Sequence, residues 1–403
     1  MSKSIREVVI AGACRTPIGK FQGSLKDVQS IELASIVACE AVKRAGIDAE
    51  VVDEIVMGQV YPHMQGSLPA RQVAMKAGLP HRSAAVNVNQ NCASGMRAME
   101  IAAQDVQLGK TDVSLAVGVE SMTNVPYMLP KARAGYRMGP GKLEDGLLVD
   151  ALEDRLVPGH MALTAENVAE KYGITREECD ALALTSHQRA TEANASGAFK
   201  EEIVPVEIKS RKGVTVFEQD EHMIPDASLE KMAQLKPAFK EGGVVTAANA
   251  SGVNDGAAAA LLMTPEKAKE LGVTPLAKLV NVCSAGVDPK YMGIGPAEAI
   301  PKCLKEAGLK FEDVEYWEIN EAFAAQFIGV GRKLKEEHGI ELDLSKVNAH
   351  GSGIGLGHPV GCTALRIIVT LCYEMARKGY KLGGASLCVG GGPAMCSLWS
   401  RDF

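Results

Sequence analysis

Short apolar runs alternate along the chain with longer segments whose apolar residues recur every three or four positions. The first pattern predicts strands at Val8–Ala11, Ile55–Met57, Ala85–Val88 and Leu115–Val119, the second helices at Ile31–Ala45 and Ser94–Leu108. The helix Ile31–Ala45 keeps its apolar residues on one face and meets Gly46, a C-terminal stop signal. Further on, a strand at Glu315–Ile319 leads to a helix at Ala324–Leu334, and a helix at Val360–Met375 leads to a strand at Ala385–Leu387. Such alternation predicts layered α/β architecture.

The pattern also repeats. Glu40–Ile55 resembles Ile300–Glu315: in each, a helix ends at Ala-Gly, an acidic turn follows and a Val-rich strand begins. Val86-Asn87 matches Val347-Asn348, and Ser114–Gly118 matches Ser386–Gly390. Three matches in one order, about 260 to 270 residues apart, imply duplication of a strand-helix domain. Between the copies runs an insertion from Met122 to Ser251. It is rich in Met, Gly, Pro and charge at Pro126–Gly146, then predicts a helix at Glu177–Ala195 and extended pieces within Ile203–Val216. This is too long for one loop and implies a separate lobe over a ligand site. The expected division is 1–121 with 252–273 as the first half, 122–251 as the inserted lobe, and 274–403 as the second half.

Composition narrows the partners. A chain of 403 residues holds two or three packed units, and 46% apolar with 23% charged residues is ordinary for a globular protein. The formal charge of −6 supplies no basic field for nucleic acid or anionic lipid. Met1–Ile10 holds no long apolar segment, and the longest apolar stretch, Ala257–Met263, is too short to span a bilayer, so a cytoplasmic location without membrane contact is expected. The ten cysteines form no Cys-x-x-Cys pair, so neither a zinc site nor a disulfide framework is expected.

Three distant segments place reactive side chains beside small residues: Asn91–Gly95 (NCASG), Gly357–Pro359 (GHP) and Cys388–Gly392 (CVGGG). Cys92 falls between a strand and a helix, where the helix dipole and free amides would stabilise a thiolate and a developing oxyanion; a packing thiol under a core helix is the competing reading. His358 follows a glycine-rich run, and Pro359 suits the first turn of a helix, so its imidazole could deprotonate a nearby thiol. It could equally be a structural histidine or part of a phosphate-binding loop, although no Gly-Lys-Ser/Thr follows. Cys388 at a strand end could move a proton or simply pack. Asn320, in Asn320–Phe323 (NEAF), suits either the holding of a water or a helix N-cap. Cys14, Cys39, Cys179, Cys283, Cys303, Cys362, Cys372 and Cys396 lack such surroundings and are assigned to packing.

In combination and order, these motifs resemble those of the thiolases, and within them the short-chain, biosynthetic acetyl-CoA acetyltransferases. The resemblance spans essentially the whole chain, including His160-Met161 and Asn249–Gly252 in and around the insertion. It implies the thiolase fold, an α/β/α/β/α stack with an inserted loop domain. It also implies a reversible Claisen condensation of two acetyl-CoA to acetoacetyl-CoA and CoA, with Cys92 as nucleophile, His358 as its base and Cys388 as the acid-base group at the α-carbon. His358 with a water on Asn320 would hold one thioester oxygen, and the amides of Cys92 and Gly390 the acyl-enzyme oxygen. The pantetheine arm would lie beside Met161, Phe239, Ser251, Ala322 and Phe323, with His160 near the thioester. No metal or cofactor is implied, since the coenzyme A thioesters are substrates, and a homotetramer joined through Pro126–Gly146 is expected. A broader 3-ketoacyl-CoA thiolase, a decarboxylating synthase of the same fold and a non-catalytic acyl-CoA or lipid carrier are the alternatives; Cys388 argues against the synthase, and the complete reactive set against the carrier.

The chain departs from the family pattern around His358, with Ser352 and Ala364 in place of glycines and Gly355 in place of Ser or Ala. It also lacks the arginine that relatives often place near Ile224 to meet the nucleotide end of the coenzyme, a role for which Lys209, Arg211 or Lys212 are the candidate replacements.

Overall fold

The apolar runs become strands and the amphipathic segments helices, in the same order in both copies. The computed structural model describes residues 5–211 and 213–403; the first four residues of the Met1–Ile10 segment, and Lys212, lie outside the described residues. In the first half the elements are β1 (Val9–Arg15), α1 (Ser30–Ala45), β2 (Glu54–Gly58), α2 (Pro69–Lys76), β3 (Ala84–Val88), α3 (Ser94–Gln107) and β4 (Val113–Ser121). The insertion carries α4 (Ala162–Tyr172), α5 (Arg176–Ser196) and a hairpin of β5 (Val206–Ser210) with β6 (Gly213–Phe217); β7 (Asn254–Met263) then returns to the first sheet. The second half comprises β8 (Ala277–Gly286), α6 (Pro296–Ala307), β9 (Tyr316–Ile319), α7 (Ala324–His338), α8 (Val360–Lys378), β10 (Leu382–Cys388) and β11 (Pro393–Ser400).

Strand order is β3-β2-β4-β7-β1 in the first half and β9-β10-β11-β8 in the second. Val347 bridges in parallel to Trp317 outside β9, as β3 lies parallel outside β2. In both halves the parallel pairing gives way to antiparallel strands toward the junction. There β1 meets β8, with Val9 opposite Lys278 and Ile10 opposite Ala277. The two sequence copies are thus two copies of one topology, and α1 and α6 both stop at a left-handed glycine, Gly46 and Gly308, each with φ 68.

Helices α3 and α8 lie between the sheets, where Met96, Met99 and Ala103 share a core with Leu365, Ile368 and Cys372. Because α8 has sheet, helix and sheet around it, every residue from Val360 to Cys372 is buried, and no polar stripe is required of it. Helices α1 and α2 cover the outer face of the first sheet, α6 and α7 that of the second. The result is the five-layer α/β/α/β/α stack. Cys14, Cys179, Cys283, Cys303, Cys362, Cys372 and Cys396 are buried as assigned, but Cys39 is exposed: its side of α1 faces away from the sheet. Among the described residues no helix is long and apolar enough to cross a membrane.

The insertion is fastened to the core by a buried ion cluster. Arg15, at the end of β1, is fully buried; its Nε lies 2.5 Å from Glu202 and its two terminal nitrogens 2.7 and 2.9 Å from the Asp220 carboxylate. Thr370 of α8 donates to Glu202 at 3.1 Å, the Ile18 amide donates to Asp220 at 2.7 Å, and the guanidinium lies 4.6 Å from the Phe199 ring centre. Removing one member of such a cluster strands its partners in a low-dielectric interior. Arg15→Leu is therefore expected to destabilise the fold by about 3–5 kcal/mol, read as a lower denaturation midpoint. An unchanged midpoint would mean that the cluster does not hold the lobe.

Candidate active site

One cavity of about 170 Å³ receives side chains from both halves and from the insertion. Cys92, His358 and Cys388 all line it, together with Gly390, although they come from three elements in two halves of the chain. Most of its remaining wall is apolar: Val60, Met122, Leu152, Met161, Met292 and Val360.

Cys92 stands in the turn between β3 and α3. Asn91 takes a left-handed conformation, φ 46, that reverses the chain, and Ser94 Oγ pins the turn by accepting from the Gln90 amide at 2.9 Å and donating to the Asn91 carbonyl at 2.7 Å. The backbone amides of Gly390 and of Cys92 itself act on the thiol and pull its pKa down, as expected for a site before a helix. Burial opposes them and wins, pushing the thiol up to about 11. This corrects the expectation of a resting thiolate: an apolar cavity costs the charge more than two amides return.

His358 is held from both sides. Its amide donates to Asn254 Oδ1 at 2.9 Å, and Nδ1 lies 2.6 Å from Thr363 Oγ1. Thr363 Oγ1 donates its single proton to the Pro359 carbonyl at 3.0 Å, so it accepts from Nδ1–H and the free lone pair falls on Nε2. Nε2 is buried without a hydrogen-bond partner among the described residues. Burial first, and then the positive Arg366, lower the imidazole to about 3, so it is neutral. A neutral ring with a bare Nε2 in the cavity of a thiol can accept a proton from it. Neither a packing histidine nor a phosphate-binding loop accounts for that orphaned nitrogen.

Cys388 closes β10 and is buried, its thiol pushed well up by burial and by the neighbouring Cys92. A Cβ on Gly390 would lie 2.9 Å from Met161 Cε, so a side chain there would displace the methionine end that lines the cavity. Asn320 is not the cap of α7, whose N-cap is Phe323. It is fully buried and not among the residues that line the cavity, and both polar atoms of its side chain are without hydrogen-bond partners among the described residues. That state suits a residue that holds a water and is costly otherwise.

The insertion and its flanks supply the cover. His160 stacks on Phe239 with ring centres 4.4 Å apart, and Met161, Ser251, Ala322 and Phe323 line the same cavity; the Ser251 amide donates to the Ala322 carbonyl at 2.9 Å, tying the two segments together. Burial lowers the His160 pKa, so it too is neutral. The unusual Gly355 also has a reason: a Cβ there would lie 2.4 Å from the Ser186 carbonyl of α5. Ser186 Oγ meanwhile accepts from the Gly355 amide at 3.0 Å and donates to Glu321 at 2.5 Å. Lys209 and Arg211 are exposed on the β5–β6 hairpin, and Ile224 is exposed as well.

Sequence reasoning missed the residues that orient the reactive ones. Thr363 sits five positions after His358, a hydroxyl near the start of an apolar helix. Asn254 lies two residues beyond the Asn249–Gly252 motif. Buried Glu120 accepts from the amides of Val60, Tyr61 and Gly361 at 2.9, 3.2 and 3.0 Å, joining the cavity wall of the first half to the start of α8.

Two thiols and a neutral imidazole at the junction of duplicated α/β halves define an enzyme of covalent acyl transfer. The thiolase N-terminal domain family matches residues 8–266 and the thiolase C-terminal domain family residues 273–401. The chain belongs to the thiolase family. An acetyl-CoA acetyltransferase of Syntrophomonas wolfei is 50% identical over 390 residues, 96% of this chain and 97% of the relative; one of Pseudomonas aeruginosa is 46% identical over 399, covering 99% and 100%. A solved structure of acetyl-CoA acetyltransferase from Syntrophomonas wolfei superposes with TM-score 0.98 at 63% identity, covering 99% of this chain and 100% of that one. Human mitochondrial 3-ketoacyl-CoA thiolase in complex with CoA does so with TM-score 0.94 at 39% identity, covering all of both chains.

Proposed function

We propose that this protein is an acetyl-CoA C-acetyltransferase, catalysing the reversible condensation of two acetyl-CoA to acetoacetyl-CoA and CoA through an acyl-Cys92 intermediate. The observation that carries the mechanism is the convergence of Cys92, Cys388 and the bare Nε2 of His358 on one apolar cavity. His358 Nε2 takes the Cys92 proton as sulfur attacks the thioester carbonyl; the amides of Cys92 and Gly390 receive the oxyanion; collapse expels the CoA thiolate, which takes the proton from His358. For the second acetyl-CoA, the Cys388 thiol gives its proton to His358 Nε2 and, as thiolate, removes an α-proton, while the resulting imidazolium and a water on Asn320 hold the enolate oxygen. The carbanion attacks the acyl-enzyme and the Cys92 thiolate departs. Transfer of the proton on His358 to the Cys92 thiolate restores two thiols and a neutral imidazole, closing the cycle with no net proton gained or lost, and neither metal nor redox cofactor enters the balance.

The wall of His160, Met161, Phe239, Ser251, Ala322 and Phe323 is the proposed path of the pantetheine arm. Exposed Tyr127, Leu129, Tyr136, Met138 and Leu143 support an assembly contact through 126–146, consistent with a homotetramer. A cytoplasmic location fits substrates of this kind. Substrate length is the deciding test. Steady-state kinetics should give acetoacetyl-CoA at least about tenfold higher kcat/KM than 3-ketoacyl-CoA esters of eight carbons or more, a difference of about 1.4 kcal/mol in transition-state binding. Equal efficiency on long chains would favour the broader 3-ketoacyl-CoA thiolase.

A further inference from the structure

The run Gly390-Gly391-Gly392 presents a backbone amide to Cys92, yet Gly391 and Gly392 adopt φ 89 and 102, open to glycine alone, and no side chain of the run anchors it. Its far end is tied within the second half, where the Gly392 amide donates to the Val389 carbonyl at 3.1 Å and the Gly392 carbonyl accepts from the Val287 amide at 2.8 Å. The near end is tied from the other half. Asn91 Nδ2, on the residue before Cys92, donates to the Gly390 carbonyl at 3.1 Å, a contact between positions 299 apart in sequence. Asn91 also lines the cavity, and its left-handed backbone, φ 46, directs the turn that carries Cys92.

We infer that Asn91 is a positioning residue: its amide clamps the Gly390 carbonyl to the Cys92 turn and so sets the spacing of the two backbone amides that receive the acyl oxygen. The site needs such a clamp because the two amides belong to different halves. An oxyanion hole works only when its donors are already in place, and a triglycine strand end free to rotate would place one of them at random. Asparagine suits both requirements of the position. It tolerates a left-handed φ better than most residues, and it supplies an N–H that leucine, valine or aspartate would not. The inference rests on the acyl-transfer reading of the site, but its test does not depend on turnover alone.

Asn91→Gly retains the left-handed turn without strain and deletes only the clamp; Asn91→Asp retains the shape and cannot donate. Both are expected to lower kcat for condensation by about ten- to a hundredfold with KM for acetyl-CoA changed less than about threefold, because the lost contact acts on the oxyanion. Both should also slow iodoacetamide alkylation of Cys92 at pH 8 by about three- to tenfold in the absence of substrate, since the Gly390 amide would no longer favour the thiolate. A purely structural contact would alter thermal stability and leave alkylation unchanged. Wild-type kcat and alkylation in Asn91→Gly would overturn the clamp. Slowed alkylation in the variants of a protein that turns over no acetoacetyl-CoA would retain the clamp and remove the proposed function.

Discussion

Exchange of Cys92 for alanine is expected to lower both thiolysis of acetoacetyl-CoA and condensation of acetyl-CoA by about 10⁴-fold or more, because no second group on the cavity wall can form the acyl intermediate. Cys388 lines the same cavity, but only Cys92 has two backbone amides directed at its sulfur. The resting ionisation makes the requirement for His358 strict. With the thiol raised to about 11 by burial, the sulfur rests protonated at pH 7, so attack requires that the imidazole take its proton as the carbon–sulfur bond forms. The thiol stays protonated up to about 11 and the imidazole stays neutral down to about 3, so both reacting groups keep their working forms between these limits. Acylation by acetyl-CoA should accordingly vary little from pH 5 to 9. Rapid-quench mass spectrometry would detect acetyl on Cys92 in the native enzyme and none in Cys92→Ala. Intact turnover in that variant would assign the nucleophile elsewhere.

The second large effect separates the two halves of the reaction. In Cys388→Ala, acetylation of Cys92 should remain within about tenfold of native while condensation and thiolysis fall by about 10³-fold, the range of a single general acid-base group. Truncation removes one sulfur at the cavity edge and leaves no charge behind, since the resting group is a thiol; the fold should be affected by no more than a small cavity. Isotope exchange between acetyl-CoA and CoA measures the first step and formation of acetoacetyl-CoA the second. Unimpaired condensation would remove Cys388 from proton transfer, whereas equal loss of both steps would make it a support for Cys92 rather than a partner to it.

The class of the fold was legible because its determinants are local. The periodicity of Ile31–Ala45 and its stop at Gly46, the two matching Val-Asn pairs, and the paired runs at Ser114 and Ser386 all survive as α1, the outer strand positions and the third strands of two like sheets. Helix α8 could be bounded from Pro359, but nothing in a run of apolar residues told which faces met sheets. Cys39 shows the limit: apolar neighbours on a helix do not say which way a given residue points.

By itself, then, the chain determined the alternation of strand and helix and the duplication, and it singled out the two thiols, the imidazole and the glycines to which the chemistry is proposed to belong; these rest on side-chain type and short-range spacing. Tertiary structure alone decided their state. Cys92 is a thiol rather than a thiolate because a cavity closes over it. The lone pair of His358 sits on Nε2 because Thr363 directs its proton to Pro359, and the Gly390 amide is in place because Asn91 reaches it from the other half. Ionisation, tautomer and donor placement depend on desolvation and on contacts between distant residues, which exist only once the two halves have packed.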